Sequence, residues 1–328
     1  LDPTIVVGGK VDSLGGNAKL GEGEFLVAEA DESDGSFLKL SPVLEVVTNI
    51  DLEHLDYYRD LDHIKSSFLE FIDKIPFYGA AIICLDDENI VSILPEIQRR
   101  VITYGMTRQA DVYAKDISVS DGRVNFTVMS EDNHLGNVSL FPPGKHNVYN
   151  ALAAICVGIE LEIPFEKISE ALSSFAGVQR RMQQKGCENQ ITVIDDYGHH
   201  PTEIRATLDA IKDAWPDKRL VVLFQPHRYS RTKALMEDFR TCFHQADVLV
   251  MTEIYAASEE PIEGISGMSL LDEIKKHGQK QTYYFGDVNT MANDLLSVIA
   301  EGDLVLTLGA GNIVRVGEDL LELLKIQE

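Results

Sequence analysis

Hydrophobic positions in the second half of the chain fall in short runs, each followed by a longer stretch with helical spacing. ITVIDD (191–196) precedes a helical pattern from Pro201 to Ala214, and LVVLF (220–224) precedes another at about Thr232–His244. VLVMTEI (248–254) leads to a helix near Ser269–His277, and TYYF (282–285) to one at Asn289–Ile299. DLVLTL (303–308) passes through Gly309–Asn312 into a last helix. Short apolar strands alternating with helices of about 10–15 residues predict a parallel, doubly wound sheet. We place this domain at 187–328.

The first half mixes two patterns. FLVAEAD (25–31), LEVVTNID (44–51), AAIICLDD (80–87) and RVITYG (100–105) read as buried strands. From Ala110 to Leu140 the segments alternate in polarity and are split by Asp121-Gly122, which predicts an antiparallel meander. Helices at Asn147–Leu161 and Phe165–Phe175 then close a domain at 1–186. Thr4–Gly8 reads as sheet core with no helix before it, so the domain is either small at this edge or continued upstream. An uncovered strand there would favour self-association into a homo-oligomer.

Composition matters mainly for what it excludes. A chain of 328 residues is long for one core, and 45% hydrophobic with 25% charged residues is ordinary for a globular protein. No apolar run approaches the ~20 residues of a membrane span, and the first residues, LDPTIVVGGK, lack the form of a secretory signal. Cys84, Cys156, Cys187 and Cys242 are spaced for neither a zinc site nor a disulfide framework, so reduced thiols in a cytoplasmic protein are expected. A net charge of −24 argues against nucleic-acid binding. It leaves room for a phosphorylated small molecule held by a few arginines, a helix N-terminus and a divalent metal.

Ligands of parallel α/β sheets bind beyond the carboxyl ends of the strands. There the chain places Glu29, Asp31, Glu32 and Asp34; Asp51, Glu53, His54 and Asp56; Asp195, Asp196, Tyr197, His199 and His200; and Gln225, His227, Arg228 and Arg231. An apolar strand ending in a carboxylate suits a Mg²⁺-nucleotide site, and also suits a solvated loop. In PPGKHNVYNALAA (142–154), Asn147 and Asn150 could read a purine edge, or Asn147 could cap the helix. Arg180-Arg181 could clamp phosphate or be surface charge. DDYGHHPTE (195–203) puts two histidines at the mouth of a helix with Pro201 at its first position, and HRYSRT (227–232) adds two arginines at the next turn. Together they suit a substrate with a carboxylate or phosphate and an amine. The Gly309–Asn312 turn is a weak signal, and no G-x-S-x-G nucleophile is present.

AEADESDGSF (28–37), TNIDLEHLD (48–56), PGKHNVYNA (143–151), DDYGHHPTE, FQPHRYSRT (224–232) and GAGN (309–312), in this order, resemble the Mur ligase family over essentially the whole chain. The resemblance implies an α/β fold. A central ATPase-like domain with a mixed sheet and meander would precede a Rossmann-like, amino-acid-binding C-terminal domain. It implies ATP-dependent amide ligation through an acyl-phosphate in peptidoglycan precursor synthesis, with UDP-N-acetylmuramate and L-alanine as substrates. A murein tripeptide acceptor and a non-catalytic nucleotide-binding fragment are the alternatives. By resemblance Glu29 and His54 would ligate Mg²⁺, and His146, Asn147 and Asn150 would lie at adenine. Arg181 would reach the ATP phosphates and Asp196 the ribose. Tyr197, His199, Arg228 and Arg231 would position the two substrates. The chain departs from the family in having no G-x-x-x-x-G-K-[ST] phosphate loop; in the family that loop lies just upstream of a segment like LDPTIVVGG. Some relatives carry a carbamylated lysine, but Lys65 and Phe68 occupy that neighbourhood here and neither is assigned the role. Alone, the chain is expected to fold at least in its second domain and to turn over little.

Overall fold

The computed structural model describes residues 1–11 and 15–326. The chain divides into two compact units, Leu1–Ala176 and Gly177–Glu328. No helix among the described residues is long and apolar enough to cross a membrane.

The first unit opens with a small sheet. β1 (Thr4–Val11) pairs antiparallel with β2 (Gly16–Lys19) and parallel with β3 (Leu26–Ala28). The expectation that Thr4–Gly8 and 25–31 are buried core is wrong: Val6 is 48% exposed, Leu26 66% and Val27 52%. Apolar content marks a strand, but burial also needs a second layer over it. Among the described residues the unit's core starts only at Phe37.

β4 (Leu44–Val47), α1 (Leu61–Ile72), β5 (Ala80–Cys84), α2 (Glu88–Ile93) and β6 (Val101–Gly105) follow in strand–helix alternation. β7 (Val112–Ser120), β8 (Arg123–Ser130) and β9 (Asn133–Leu140) form the expected meander. The six strands make one sheet in the order β4-β5-β6-β7-β8-β9, parallel up to β7 and antiparallel after it. Asp121 and Gly122 both have positive φ (52° and 68°), as the tight β7–β8 hairpin requires. Asp60 and Asp87 start α1 and α2 by accepting the amides of His63 and Ile90. α3 (Lys145–Glu160) lays Val148, Leu152 and Ile155 onto the sheet core, and α4 (Phe165–Ser174) closes the unit.

The second unit begins with β10 (Gln183–Glu188), antiparallel to β11 (Ile191–Asp196), so a boundary at 186/187 falls inside a strand. α5 (Pro201–Ala214), β12 (Leu220–Phe224), α6 (Tyr229–Ala234), α7 (Met236–Phe239), β13 (Val248–Thr252), α8 (Gly267–Lys276), β14 (Thr282–Gly286), α9 (Val288–Leu295), β15 (Leu304–Leu308) and α10 (Val314–Ile326) complete it. The single helix expected at Thr232–His244 is two short ones, broken at Leu235. The sheet order is β10-β11-β15-β12-β13-β14, parallel from β11 onward.

Alternate residues of each strand feed two separate cores. Ile194, Val222, Phe224 and Leu306 pack with Leu208 of α5, Phe239 of α7 and Leu270 of α8. Val193, Val221, Leu223 and Val305 pack with Leu295 of α9 and Leu320 of α10. β15 therefore sends its helix to one face of the sheet while its neighbours β11 and β12 send theirs to the other. The chain parts at the carboxyl end of β15, which opens a crevice where such sheets bind ligands.

Candidate active site at the strand tips

Three loops meet at that crevice, after β11 (197–200), β12 (225–228) and β15 (309–312). The β12 and β15 loops are tied through buried Gln225, whose Nε2 donates to Asn312 Oδ1 (2.9 Å) and whose Oε1 accepts from Ile313 N (3.2 Å). A Cβ on Gly311 would lie 2.2 Å from Gln225 Oε1, so that glycine is what lets the loops close up.

The adjacent arginines have different jobs. Arg180 has φ 61° and turns its side chain inward, where Nε donates to Asp195 Oδ2 (3.0 Å) and the terminal nitrogens donate to the carbonyls of Gly309 (2.6 Å) and Gly311 (3.3 Å). Arg181 turns outward and pairs with Glu203 at 3.2 Å. Their guanidinium carbons lie 5.0 and 5.6 Å from the Tyr197 ring centroid, two cation–π contacts to one partly exposed tyrosine.

Asp196, which the resemblance assigns to the ribose, is held inside the unit. It is buried, and its carboxylate accepts from Met182 N (2.8 Å), Gly198 N (2.8 Å) and Thr207 Oγ1 (3.3 Å). Burial pushes its pKa up to about 6 despite Arg181 and the two amides. These hydrogen bonds all go to the protein itself, so its work is to shape the loop.

The two histidines also separate. His200 is the N-cap of α5, buried, with Nδ1 accepting from Thr202 N (3.2 Å). The sequence places both histidines at the mouth of the helix, and a helix N-terminus rewards an acceptor at the cap position, which His200 takes. His199 turns instead towards the crevice: Nδ1 donates to Tyr197 O (3.1 Å), and its ring lies 5.5 Å from Tyr197 and 5.7 Å from His227. Burial alone would raise the Glu203 pKa, but His199, Arg181 and the amides of His199 and His200 outweigh it and bring it down to about 2.

His227 stacks on Tyr255 (5.4 Å, 10°), and its Nδ1 accepts from Arg231 (3.2 Å). An arginine can only donate, so the neutral imidazole carries its proton on Nε2. Burial, then His199, Arg231 and Arg228, lower its pKa to about 4. Arg228 has φ 72° and pairs with Glu259 at 3.3 Å. Tyr197, His199, His227, Arg228 and Arg231 are thus brought to the three converging loops. They present cations, neutral donors and an aromatic ring, which is the chemistry a carboxylate-bearing amine or a phosphate needs.

In the first unit the strand-tip acids are more exposed to solvent. Glu29 Oε2 accepts from Gly8 N (2.5 Å). His54, at φ 55°, meets Glu32 rather than Glu29: Nε2 to Oε1 is 3.2 Å. Tyr58 OH donates to Glu32 O (2.6 Å) and anchors that loop from the core. Among the described residues no group of three or more His, Cys, Asp or Glu side chains is set to hold a metal. Mg²⁺ needs only one or two protein ligands when phosphates and water fill the rest, and Glu29, Glu32 and His54 fit that demand.

At the start of α3 the N-cap is Gly144, not Asn147. The Asn147 amide donates to the carbonyls of Pro142 and Pro143 (3.2 Å each), which leaves its oxygen as the atom able to read a purine. Asn150 is exposed and His146 half-buried. Sequence reasoning assigned no role to Gln225, His227 or Glu203. His227 and Gln225 were placed at the end of their strand by position alone, whereas Glu203 reads as an ordinary first-turn acid. A cavity of about 440 Å³, bordered by Lys212, Lys218, Arg219 and Asp247, lies at the opposite ends of the strands and is separate from this cluster.

Residues 12–158 match the model of the Mur ligase middle domain, and residues 180–311 that of the Mur ligase glutamate ligase domain. The chain is 68% identical over 323 residues to a UDP-N-acetylmuramate–L-alanine ligase of Desulfotalea psychrophila, covering 98% of this chain and 70% of that one. It is 56% identical over 322 residues to the ligase of the same name from Geobacter sulfurreducens, with the same coverage. The crystal structure of the UDP-N-acetylmuramate–alanine ligase of Thermotoga maritima superposes with a TM-score of 0.81 at 29% identity, covering 100% of this chain and 70% of that one. With both domain models matched in order and identities well above what fold alone would give, the chain belongs to the Mur ligase family, alongside its UDP-N-acetylmuramate–L-alanine ligases.

Proposed function

We propose that the chain carries out ATP-dependent joining of L-alanine to UDP-N-acetylmuramate in peptidoglycan precursor synthesis. The observation that carries this is the 68% identity to a ligase of that name across 98% of the chain. The histidine–arginine cluster at the β15 switch point supplies the chemistry it requires.

In the reaction a muramate carboxylate oxygen attacks the γ-phosphorus of ATP and ADP leaves. The alanine nitrogen then attacks the acyl carbon, phosphate leaves and the amine gives up its proton. The barrier in such steps is lowered by positioning and by cations that meet developing charge. Arg228, Arg231 and the Nε2–H of His227 suit the carboxylates and the leaving phosphate, and His199 and Tyr197 orient the amine. Arg181 is assigned to the ATP phosphates, and His146, Asn147 and Asn150 to adenine, with Asn147 as acceptor only. Glu29 and His54 would hold Mg²⁺, with Glu32 beside them; the metal when bound neutralises charge on the transferring phosphoryl group.

Phosphate release by the gene-encoded protein tests the reading. Turnover should require ATP, UDP-N-acetylmuramate and L-alanine together, and murein tripeptide should not replace alanine. Efficient turnover with the tripeptide, or release independent of the amino acid, would overturn it.

A further inference from the structure

Arg180, in the lead-in to β10, bonds both the tip of β11 and the loop after β15. Its carbonyl accepts from Tyr197 N (2.6 Å), and its own amide donates to Gln183 Oε1 (3.2 Å). Its guanidinium bonds Asp195 and the carbonyls of Gly309 and Gly311, and lies against the Tyr197 ring. Asp195 is fully buried, and its other oxygen accepts from Thr307 Oγ1 (2.7 Å) on β15. Only a planar fork with several donors can bond a carboxylate and two carbonyls from one point; an ammonium or an amide cannot span them. The left-handed backbone at Arg180 is a conformation a non-glycine residue holds only where its surroundings fix it.

We propose that Arg180 is a positioning residue that locks Tyr197 and the Gly309–Gly311 loop into one arrangement and thereby sets the affinity of the crevice for the amino-acid substrate. It touches no reacting atom. It determines where Tyr197, and through it His199, stand before a ligand arrives. The inference rests on the functional reading above, because the substrate it concerns is the one assigned there. Sites held to within about half an ångström depend on such supporting residues, and a 1 Å misplacement costs about a hundredfold.

The test compares the wild type with Arg180→Gln, Arg180→Lys and the double variant Arg180→Gln/Asp195→Asn, titrating L-alanine and ATP separately. Arg180→Gln leaves Asp195 buried beside Thr307 alone and could fail to fold. The double variant removes the stranded charge and keeps the measurement available. The expected result is a KM for L-alanine raised about tenfold or more in each folded variant, with KM for ATP within about twofold. Arg180→Lys should recover part of the thermal midpoint and little of the KM. Unchanged KM for alanine in a folded variant, or equal rises in both KM values, would overturn the proposal. A wild type that turns over without alanine would instead overturn the functional reading.

Discussion

In the second unit Asp195 and Asp196 lie beneath the strand tips with every carboxylate oxygen hydrogen-bonded, whereas in the first unit Glu45 is buried on β4 with neither oxygen partnered. The strand-tip side chains differ in the same way. Arg180, Gln225 and Asp196 cross-link the loops of the second unit around buried carboxylates, whereas the Glu32–His54 pair of the first unit is partly open to solvent. The second unit has set its geometry before any ligand arrives, which is where electrostatic catalysis draws its advantage. The acids of the first unit suit a site that a metal and phosphates help to order.

The largest expected effect breaks this contrast at the chemistry. Alanine at His199 or Arg228 should lower kcat/KM for L-alanine about a hundredfold or more in a coupled ADP-release assay. A change under tenfold would show that the fixed cluster is not the amino-acid site.

Glu45, the acid without a hydrogen-bond partner, should respond to pH. Burial raises the Glu45 pKa to about 8, above its unfolded value near 4.5. Its protonated form is therefore favoured on folding, and its contribution is whole below about pH 4.5 and lost as pH rises through 8. Glu45→Gln should leave stability nearly unchanged at about pH 4 and raise it by about 4 kcal/mol at about pH 9. Equal stability of the two proteins at both pH values would mean that Glu45 finds a partner. Next in size, Asp196→Asn turns an amide N–H towards amides that now donate to a carboxylate. It should cost about 3 kcal/mol in denaturant unfolding; a loss below 1 kcal/mol would remove Asp196 from its structural role. The smallest effect is at the helix cap, where His200→Ala should cost about 1 kcal/mol in thermal or urea unfolding and leave KM for alanine unchanged. A shift in that KM would place His200 in the site.

Much of this could be read from the residues. The strands of the doubly wound sheet are apolar runs bounded by polar tips, and β11, β12 and α5 fall at 191–196, 220–224 and 201–214 as the pattern predicts. β10 was not legible, because QQKGCE shows no apolar alternation and is recruited by backbone bonding to β11. β1 and β3 were misread as core because apolar content cannot report whether a second layer covers a strand. Nothing in Arg180-Arg181 tells which arginine turns inward; the φ of 61° decides that. GAGN carried little weight as a string, and gains its meaning only once β15 is seen between β11 and β12.

The division of labour between the units is tested most directly by one kinetic comparison on the gene-encoded protein, measuring KM for L-alanine and for ATP in His199→Ala and in Asn150→Ala. The first should raise KM for L-alanine about tenfold or more with little change for ATP, and the second should do the reverse. If His199→Ala raised KM for ATP and spared alanine, the crevice at β15 would not be the amino-acid site.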